Sequence, residues 1–280
     1  MKVAYLTGPT LAVSSIRIML MEQFGRANVD EIRSSLLAAV DLTKYDMLVL
    51  PGSTGETSPY PDILGEAELA NIFEAVEENG MVLWTDCSAT YYMLGDIEYI
   101  SSMGLKKTRL GLGRVDGKAR GPVRGKGLVP SENSRFAEVI ARPVSYTIAG
   151  KTGTAEICYG NGPGLYLSEQ ERTNPAVNIL ATYADAPDTP VAALTKKMGL
   201  GLLVNFGVLI QIAPEHLNGQ FTDREAEEHR RHLFNRLSYF DEGRREFLSL
   251  VFRTIRDHCK SLKKPGATRL NYGVENVTFP

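Results

Sequence analysis

Short apolar runs that end in turn residues, each followed by residues at helical spacing, constrain this chain most. Val3 to Leu6 is closed by Gly8-Pro9, and Met47 to Leu50 by Pro51-Gly52. Met81 to Trp84 leads into Thr85-Asp86-Cys87-Ser88. Runs this short without alternation fit strands buried on both faces. Between them, Leu11 to Phe24 sets Ile16, Leu20 and Phe24 on one helical face. The stretch 62–79 does the same with Leu64, Ala67, Ile72, Phe73 and Val76, and Gly80 ends it. A weak strand at Val29 to Ile32 and a short helix from Cys87 to Leu94 complete the pattern. Alternating strands and helices predict right-handed crossovers and a parallel sheet with helices on both faces. In such sheets ligands sit beyond the carboxyl ends of the strands. Attention therefore falls on the loops Pro51-Gly52-Ser53-Thr54-Gly55 and Thr85-Asp86-Cys87-Ser88.

The pattern changes after Gly95. Residues 106–127 are rich in Lys, Arg and Gly and read as a loop. β-like runs follow at Ser145 to Ala149, Glu156 to Tyr159, Val177 to Tyr183, Val191 to Thr195 and Leu200 to Phe206. Ala149-Gly150, Asn161-Gly162 and Asp185-Ala186-Pro187 mark turns among them. These runs predict an antiparallel extension of the same sheet. Thr222 with Glu225 reads as a capping box opening a helix, and a second helix spans Arg244 to Leu262. The expected organisation is an α/β domain over 1–220, a helical hairpin appended over 221–264, and an irregular tail over 265–280. The chain has 280 residues, and a single α/β domain reaches that scale.

Composition narrows the function. Formal net charge is −2, from 31 Lys+Arg against 33 Asp+Glu, which disfavours a dedicated nucleic-acid binder. Locally, Lys106, Lys107, Arg109, Arg114, Lys118, Arg120, Arg124 and Lys126 form a basic run. It lacks aromatic residues for stacking bases, so a solvated loop is favoured over a nucleic-acid or anion site. Three cysteines do not make a disulfide framework. Three cysteines and four histidines without C-x-x-C or H-x-x-x-H spacing give no metal site, and no cofactor is implied. The Met1 to Gly8 segment lacks a signal peptide's length, and the apolar run from Gly199 to Ala213 is short and holds Asn205 and Gln211. A cytoplasmic protein without membrane contact is expected. Gly150-Lys151-Thr152 is read as a hairpin turn, because Ser145 stands where a phosphate loop needs its first glycine.

Cys87 is the sharpest chemical feature. At a turn from strand to helix, a thiol meets N–H groups that can stabilise a thiolate or an oxyanion. Thr85 and Ala89 flank it two positions away, and Asp86 beside it would raise the thiol pKa. Cys158 and Cys259 read as core residues. His229, His232 and His258 read as positions on solvated or partly packed helix faces.

The stretches Asp46-Met47-Leu48-Val49-Leu50-Pro51-Gly52-Ser53, Pro59-Tyr60 and 80–92, through Cys87-Ser88-Ala89-Thr90-Tyr91-Tyr92, resemble the biotin–protein ligase N-terminal domain family. That family belongs to the class I glutamine amidotransferase-like fold. Arg120-Gly121-Pro122, residues 159–164, residues 178–183 and the run from Gly199 to Gly207 continue the resemblance in order, over roughly residues 1–217. Nothing resembles the catalytic or biotin-binding part of a ligase, so the resemblance implies a stand-alone domain without ligase activity. It also implies that an active member would place a His and a Glu after the last strand, to deprotonate the thiol and orient the base. Aligned without gaps, those positions here are Leu209 and Gln211; shifted to the visible Pro-Glu, they are Ala213 and Glu215. His216 is the only nearby imidazole. Two functions follow as expectations. One is a degenerate amidotransferase-like module that binds a small molecule or protein. The other is a cysteine-nucleophile hydrolase or amidotransferase-like enzyme. There Cys87 would be the nucleophile, with Gly52, Ser53 and Ser88 as oxyanion donors. Asp86 and Arg120 would lie nearby, and His216 with Glu215, or a residue of another subunit, would supply the base. A homodimer through the helical hairpin is a further expectation.

Overall fold

The computed structural model describes residues 1–54, 58–101, 104–124, 139–217 and 224–263. Sequence expectations resting on Gly55, on Lys126 and Gly127, on Thr222 of the capping box and on the tail 265–280 lie outside the described residues. The strands are β1 Val3–Thr7, β2 Val29–Arg33, β3 Met47–Leu50, β4 Val82–Asp86, β5 Leu94–Ile100, β6 Lys106–Leu110, β7 Val115–Gly121, β8 Val139–Ile148, β9 Lys151–Gly160, β10 Gly164–Leu167, β11 Val177–Tyr183, β12 Val191–Met198 and β13 Gly201–Phe206. The helices are α1 Ser14–Phe24, α2 Tyr60–Ile63, α3 Glu66–Glu77, α4 Ser88–Met93, α5 Glu169–Thr173, α6 Arg224–Tyr239 and α7 Asp241–Leu262.

One sheet joins all the strands. β2, β1, β3, β4 and β13 lie side by side in that order and pair in parallel. β12, β10 and β7 continue it antiparallel from β13. β7 then pairs β5 in parallel, and β6 closes that edge. β11, β8 and β9 branch from β12 as further antiparallel strands. The α/β class and the antiparallel extension are those that the sequence predicts.

Strand periodicity divides the core into two layers. On one face Tyr5, Val49, Trp84, Val204 and Phe206 meet Ile16 and Leu20 of α1, together with Phe247, Val251, Phe252 and Ile255 of α7. On the other, Leu6, Leu48, Leu50, Leu83 and Leu203 meet Ile72, Phe73 and Val76 of α3. Burying each large apolar side chain contributes about 1.5–3 kcal/mol. Trp84 stacks on Phe252 at 5.6 Å between ring centroids, so α7 belongs to the main core rather than standing beside it. α6 covers a smaller cluster, where Leu233 and Leu237 meet Ala141 and Cys158.

Two expectations are corrected. The helix expected over 62–79 is broken, because Gly65 adopts an extended backbone and its N–H donates to Glu68 Oε2 at 3.0 Å, starting α3 afresh. The basic stretch is not a loop: it forms β6 and β7. Four of its cations are paired. Lys106 and Arg120 both reach Glu98 on β5, at 2.6 and 2.8 Å. Arg114 reaches Glu77 at 2.8 Å and covers the Phe73 ring. Arg109 reaches Asp62 at 3.3 Å. β5 and β10 had no sequence expectation. Lys151 pairs with Ile148 across the β8–β9 turn, so the glycine-rich stretch there is a hairpin.

Candidate functional site

The carboxyl ends of β3, β4 and β13 carry Gly52, Cys87 and Gly207. Cys87 joins β4 to α4 with φ +46° and ψ −104°, a left-handed backbone that costs a non-glycine residue about 1–3 kcal/mol. Three hydrogen bonds hold the turn. Cys87 N–H donates to Phe206 O at 2.8 Å, and Tyr91 N–H donates to Cys87 O at 3.0 Å. The Cys87 thiol donates to Gly160 O at 3.5 Å. Gly52 packs tightly against the turn: a Cβ there would lie 3.2 Å from Cys87 Cβ. The Gly52 loop is fixed in turn, with Ala12 N–H donating to Gly52 O at 2.9 Å and Tyr60 Oη to Pro51 O at 2.6 Å.

Tyrosines hold the far side. Tyr91 Oη donates to Asn161 O at 2.9 Å, Tyr159 Oη to Gly162 O at 2.8 Å, and Tyr183 Oη to Pro163 O at 2.9 Å. Three successive carbonyls after β9 are thereby pinned, which fixes Gly160 against the thiol. The fully buried Arg142 sits over the Tyr159 and Tyr183 rings at 5.0 and 5.1 Å and pairs with Asp185 at 2.7 Å.

The electrostatics oppose a thiolate. Cys87 is 8% exposed. Burial first, and Asp86 second, push its thiol up to about 12, while Ser88 N–H acts the other way. Asp86 is itself fully buried, and burial raises its carboxyl to about 8 despite the Trp84 Nε1–H bond at 2.9 Å. At neutral pH Asp86 is therefore largely protonated, and burial dominates at Cys87. Around this corner Ser53 Oγ, Asp86 Oδ2 and Ser88 Oγ are buried without a partner among the described residues.

The expected base is elsewhere. Leu209 lies beside Gly52 and Gly160. Its Cδ2 lies 3.9 Å from where a Gly52 Cβ would stand, and its Cδ1 lies 3.3 Å from the equivalent point of Gly160. His216 accepts Ala213 N–H at Nδ1, 3.2 Å away. It lines a cavity between α1 and α7, with Gln211 and exposed Glu215. Neither His216 nor Glu215 hydrogen-bonds Cys87 among the described residues. Arg120 is committed to Glu98 on β5. Thus Gly52, Ser53, Asp86, Cys87 and Ser88 come together, and His216, Glu215 and Arg120 do not join them through any such bond. The signal missed in the sequence is Gly160, whose carbonyl receives the thiol. Of the remaining histidines, His229 Nε2 meets Val139 O at 2.7 Å and His258 Nε2 meets Gly80 O at 3.2 Å. Cys158 and Cys259 are buried in apolar clusters. Among the described residues no helix is long and apolar enough to cross a membrane.

No family model matches the chain. An uncharacterized protein of Chlamydia muridarum is 29% identical over 171 residues, covering 60% of this chain and 61% of the relative. The chain thus matches less than two thirds of that curated relative's length. Among solved structures, SMU.1228c is similar with a TM-score of 0.54 and 12% identity, over 91% of this chain and 100% of that one. A glutamine amidotransferase from Thermotoga maritima gives a TM-score of 0.47 and 13% identity, over 92% and 97%. At these identities the likeness to SMU.1228c is one of fold.

Proposed function

We propose that this chain is a degenerate amidotransferase-like protein, a binding module that keeps the cysteine turn and hydrolyses nothing. One observation carries this reading: the Cys87 thiol donates to the Gly160 carbonyl and not to an imidazole, and the apolar Leu209 lies beside Gly52 and Gly160. A cysteine nucleophile needs a base within hydrogen-bond reach or a depressed pKa; among the described residues this thiol hydrogen-bonds no base, and burial raises its pKa. The ordered sequence resemblance over residues 1–217 supports the amidotransferase-like part of the reading.

The strained backbone of Cys87 favours a second reading, in which the turn still serves a nucleophile. Cys87 would then attack an acyl carbon, Ser88 N–H would stabilise the oxyanion, and another subunit would supply the base. Iodoacetamide labelling across pH, read peptide by peptide, separates the two. The binding module predicts that Cys87 labels only as pH rises well above the ordinary thiol range near 8.5, and that Cys87→Ser folds normally. Labelling of Cys87 with a midpoint below about 7 would overturn it and establish the enzyme.

A further inference from the structure

Outside the Cys87 corner, a cavity of about 320 Å³ opens between α1, α7 and the segment that follows β13. Its lining includes Gln211, which is 3% exposed and whose Oε1 is buried without a hydrogen-bond partner. It also includes His216, whose Nε2 is likewise buried and unpartnered. The Ala213 N–H donates to His216 Nδ1, so in the neutral ring the proton sits on Nε2 and that atom is a donor. Arg244 shares the lining. It spends Nε on Asp241 at 2.6 Å and Nη1 on Ile210 O at 3.1 Å, and Nη2 makes no hydrogen bond among the described residues. An orphaned buried polar atom has lost its hydration without gaining a partner, which is costly. Two such atoms beside an unspent guanidinium nitrogen, all lining one cavity, point to a ligand.

Their chemistry defines it. Arg244 Nη2 and His216 Nε2–H are donors suited to a carboxylate. Gln211 Oε1 is an acceptor, and it needs an N–H next to that carboxylate. Glu22 and Glu215, both exposed at the rim, favour a positive charge there. Met19, Ala213 and Leu248 add apolar surface, and Gln23, Ser249 and Arg245, the last paired with Asp241, complete the lining. We infer that this cavity binds a small zwitterion of the free amino-acid class. The carboxylate meets Arg244 and His216, and the ammonium meets Gln211 and the acidic rim. In this arrangement His216 is a binding donor and not a base for Cys87.

Calorimetric titration of the full chain with glycine, alanine, leucine and glutamate tests this, with acetate and methylammonium as single-charge probes. We expect saturable binding of at least one amino acid, with each single-charge probe at least about tenfold weaker. Gln211→Leu keeps the side-chain volume and removes the orphaned acceptor. It should weaken binding about tenfold or more without lowering the melting temperature. Should that variant fail to fold, His216→Phe keeps a ring, removes the donor and should weaken binding likewise. Cys87→Ser should bind as wild type does, which separates this site from the reading of Cys87. Absence of heat up to about 10 mM amino acid overturns the inference. So does acetate binding as tightly as amino acids, or a folded Gln211→Leu of unchanged affinity.

Discussion

A cysteine hydrolase brings a thiol and an imidazole together; here they occupy two different environments. Cys87 sits at a strained turn with its proton donated to Gly160 and Gly52 packed against it, and Leu209 lies beside both glycines. His216 lines a cavity on the α1–α7 face, with one ring nitrogen spent on the backbone and the other unpartnered. The first corner resembles a catalytic turn, and Ser53, Asp86 and Ser88 keep unpartnered polar atoms there, yet among the described residues no imidazole hydrogen-bonds its thiol. The second has unspent polar groups and no nucleophile. Residue identity alone therefore misassigns both: the environment decides whether a thiol ionises and whether an imidazole accepts a proton or donates one.

Restoring the imidazole to the thiol would break the contrast most sharply. Leu209→His introduces a ring beside Gly160, whose carbonyl accepts from the thiol, and beside Gly52. A neighbouring His can accept the thiol proton and stabilise the thiolate as an ion pair. We expect iodoacetamide to modify Cys87 about 10²–10³-fold faster at pH 7.5 than in the wild type, with Cys158 and Cys259 unchanged as internal references. A rate within about threefold of wild type, in a variant that circular dichroism shows folded, would mean that burial and not the missing base keeps this thiol inert.

Asp86 sharpens the contrast by a smaller amount. Burial raises its carboxyl to about 8 in the folded chain, whereas an unfolded Asp ionises near about 3.9. Between those values the folded chain holds a proton that the unfolded chain has released. Stability therefore falls as pH rises from about 4 to about 8, and it levels off above. Asp86→Asn keeps an acceptor for Trp84 Nε1 and removes the titration. Urea unfolding at pH 5 and pH 8.5 should show the wild type losing on the order of a few kcal/mol between them, and the variant losing little. Parallel behaviour of the two proteins would show that Asp86 is already ionised in the fold.

These two corners also mark how far the sequence could be read. β3 was legible because Met47–Leu50 is a continuous apolar run stopped by Pro51-Gly52. The Cys87 turn was legible because β4 is another such run, and the resemblance put the position expected to hold a His at Leu209 or Ala213. β5 was not, because it starts at Leu94, directly after α4 ends at Met93, with no turn residue between them. β6 was not, because every residue of Lys106–Leu110 is exposed, so no alternation marks it as a strand. The helix expected over 62–79 carried its apolar spacing across Gly65, where backbone geometry overrides periodicity. The cavity was invisible for a different reason. Glu22, Gln211 and Arg244 are far apart in sequence and come together only because α1 and α7 cover the same face of the sheet.

The basic stretch supplies the smallest effect and the limiting case for the comparison. Like the cavity it concentrates charge, but Lys106, Arg109, Arg114 and Arg120 are already matched. The Glu98 side chain is 8% exposed and accepts from Lys106 and Arg120, whose own side chains are more than half exposed. The Lys106 hydrogen bond leads the causes that hold the Glu98 carboxyl below its ordinary value. Pairs with one solvated partner are worth about 0.2–1 kcal/mol, so Lys106→Met should cost no more than that in urea unfolding at pH 7. The carboxyl pKa is depressed in the fold, so this contribution is present above the unfolded value near about 4.3 and fades as pH falls below it. It should also shrink in about 1 M salt, where exposed charges are screened. A loss above about 2 kcal/mol that persists in salt would instead mean a desolvated network around Glu98. The strip would then have to be treated, like the cavity, as a place where buried polar groups hold stored interaction energy.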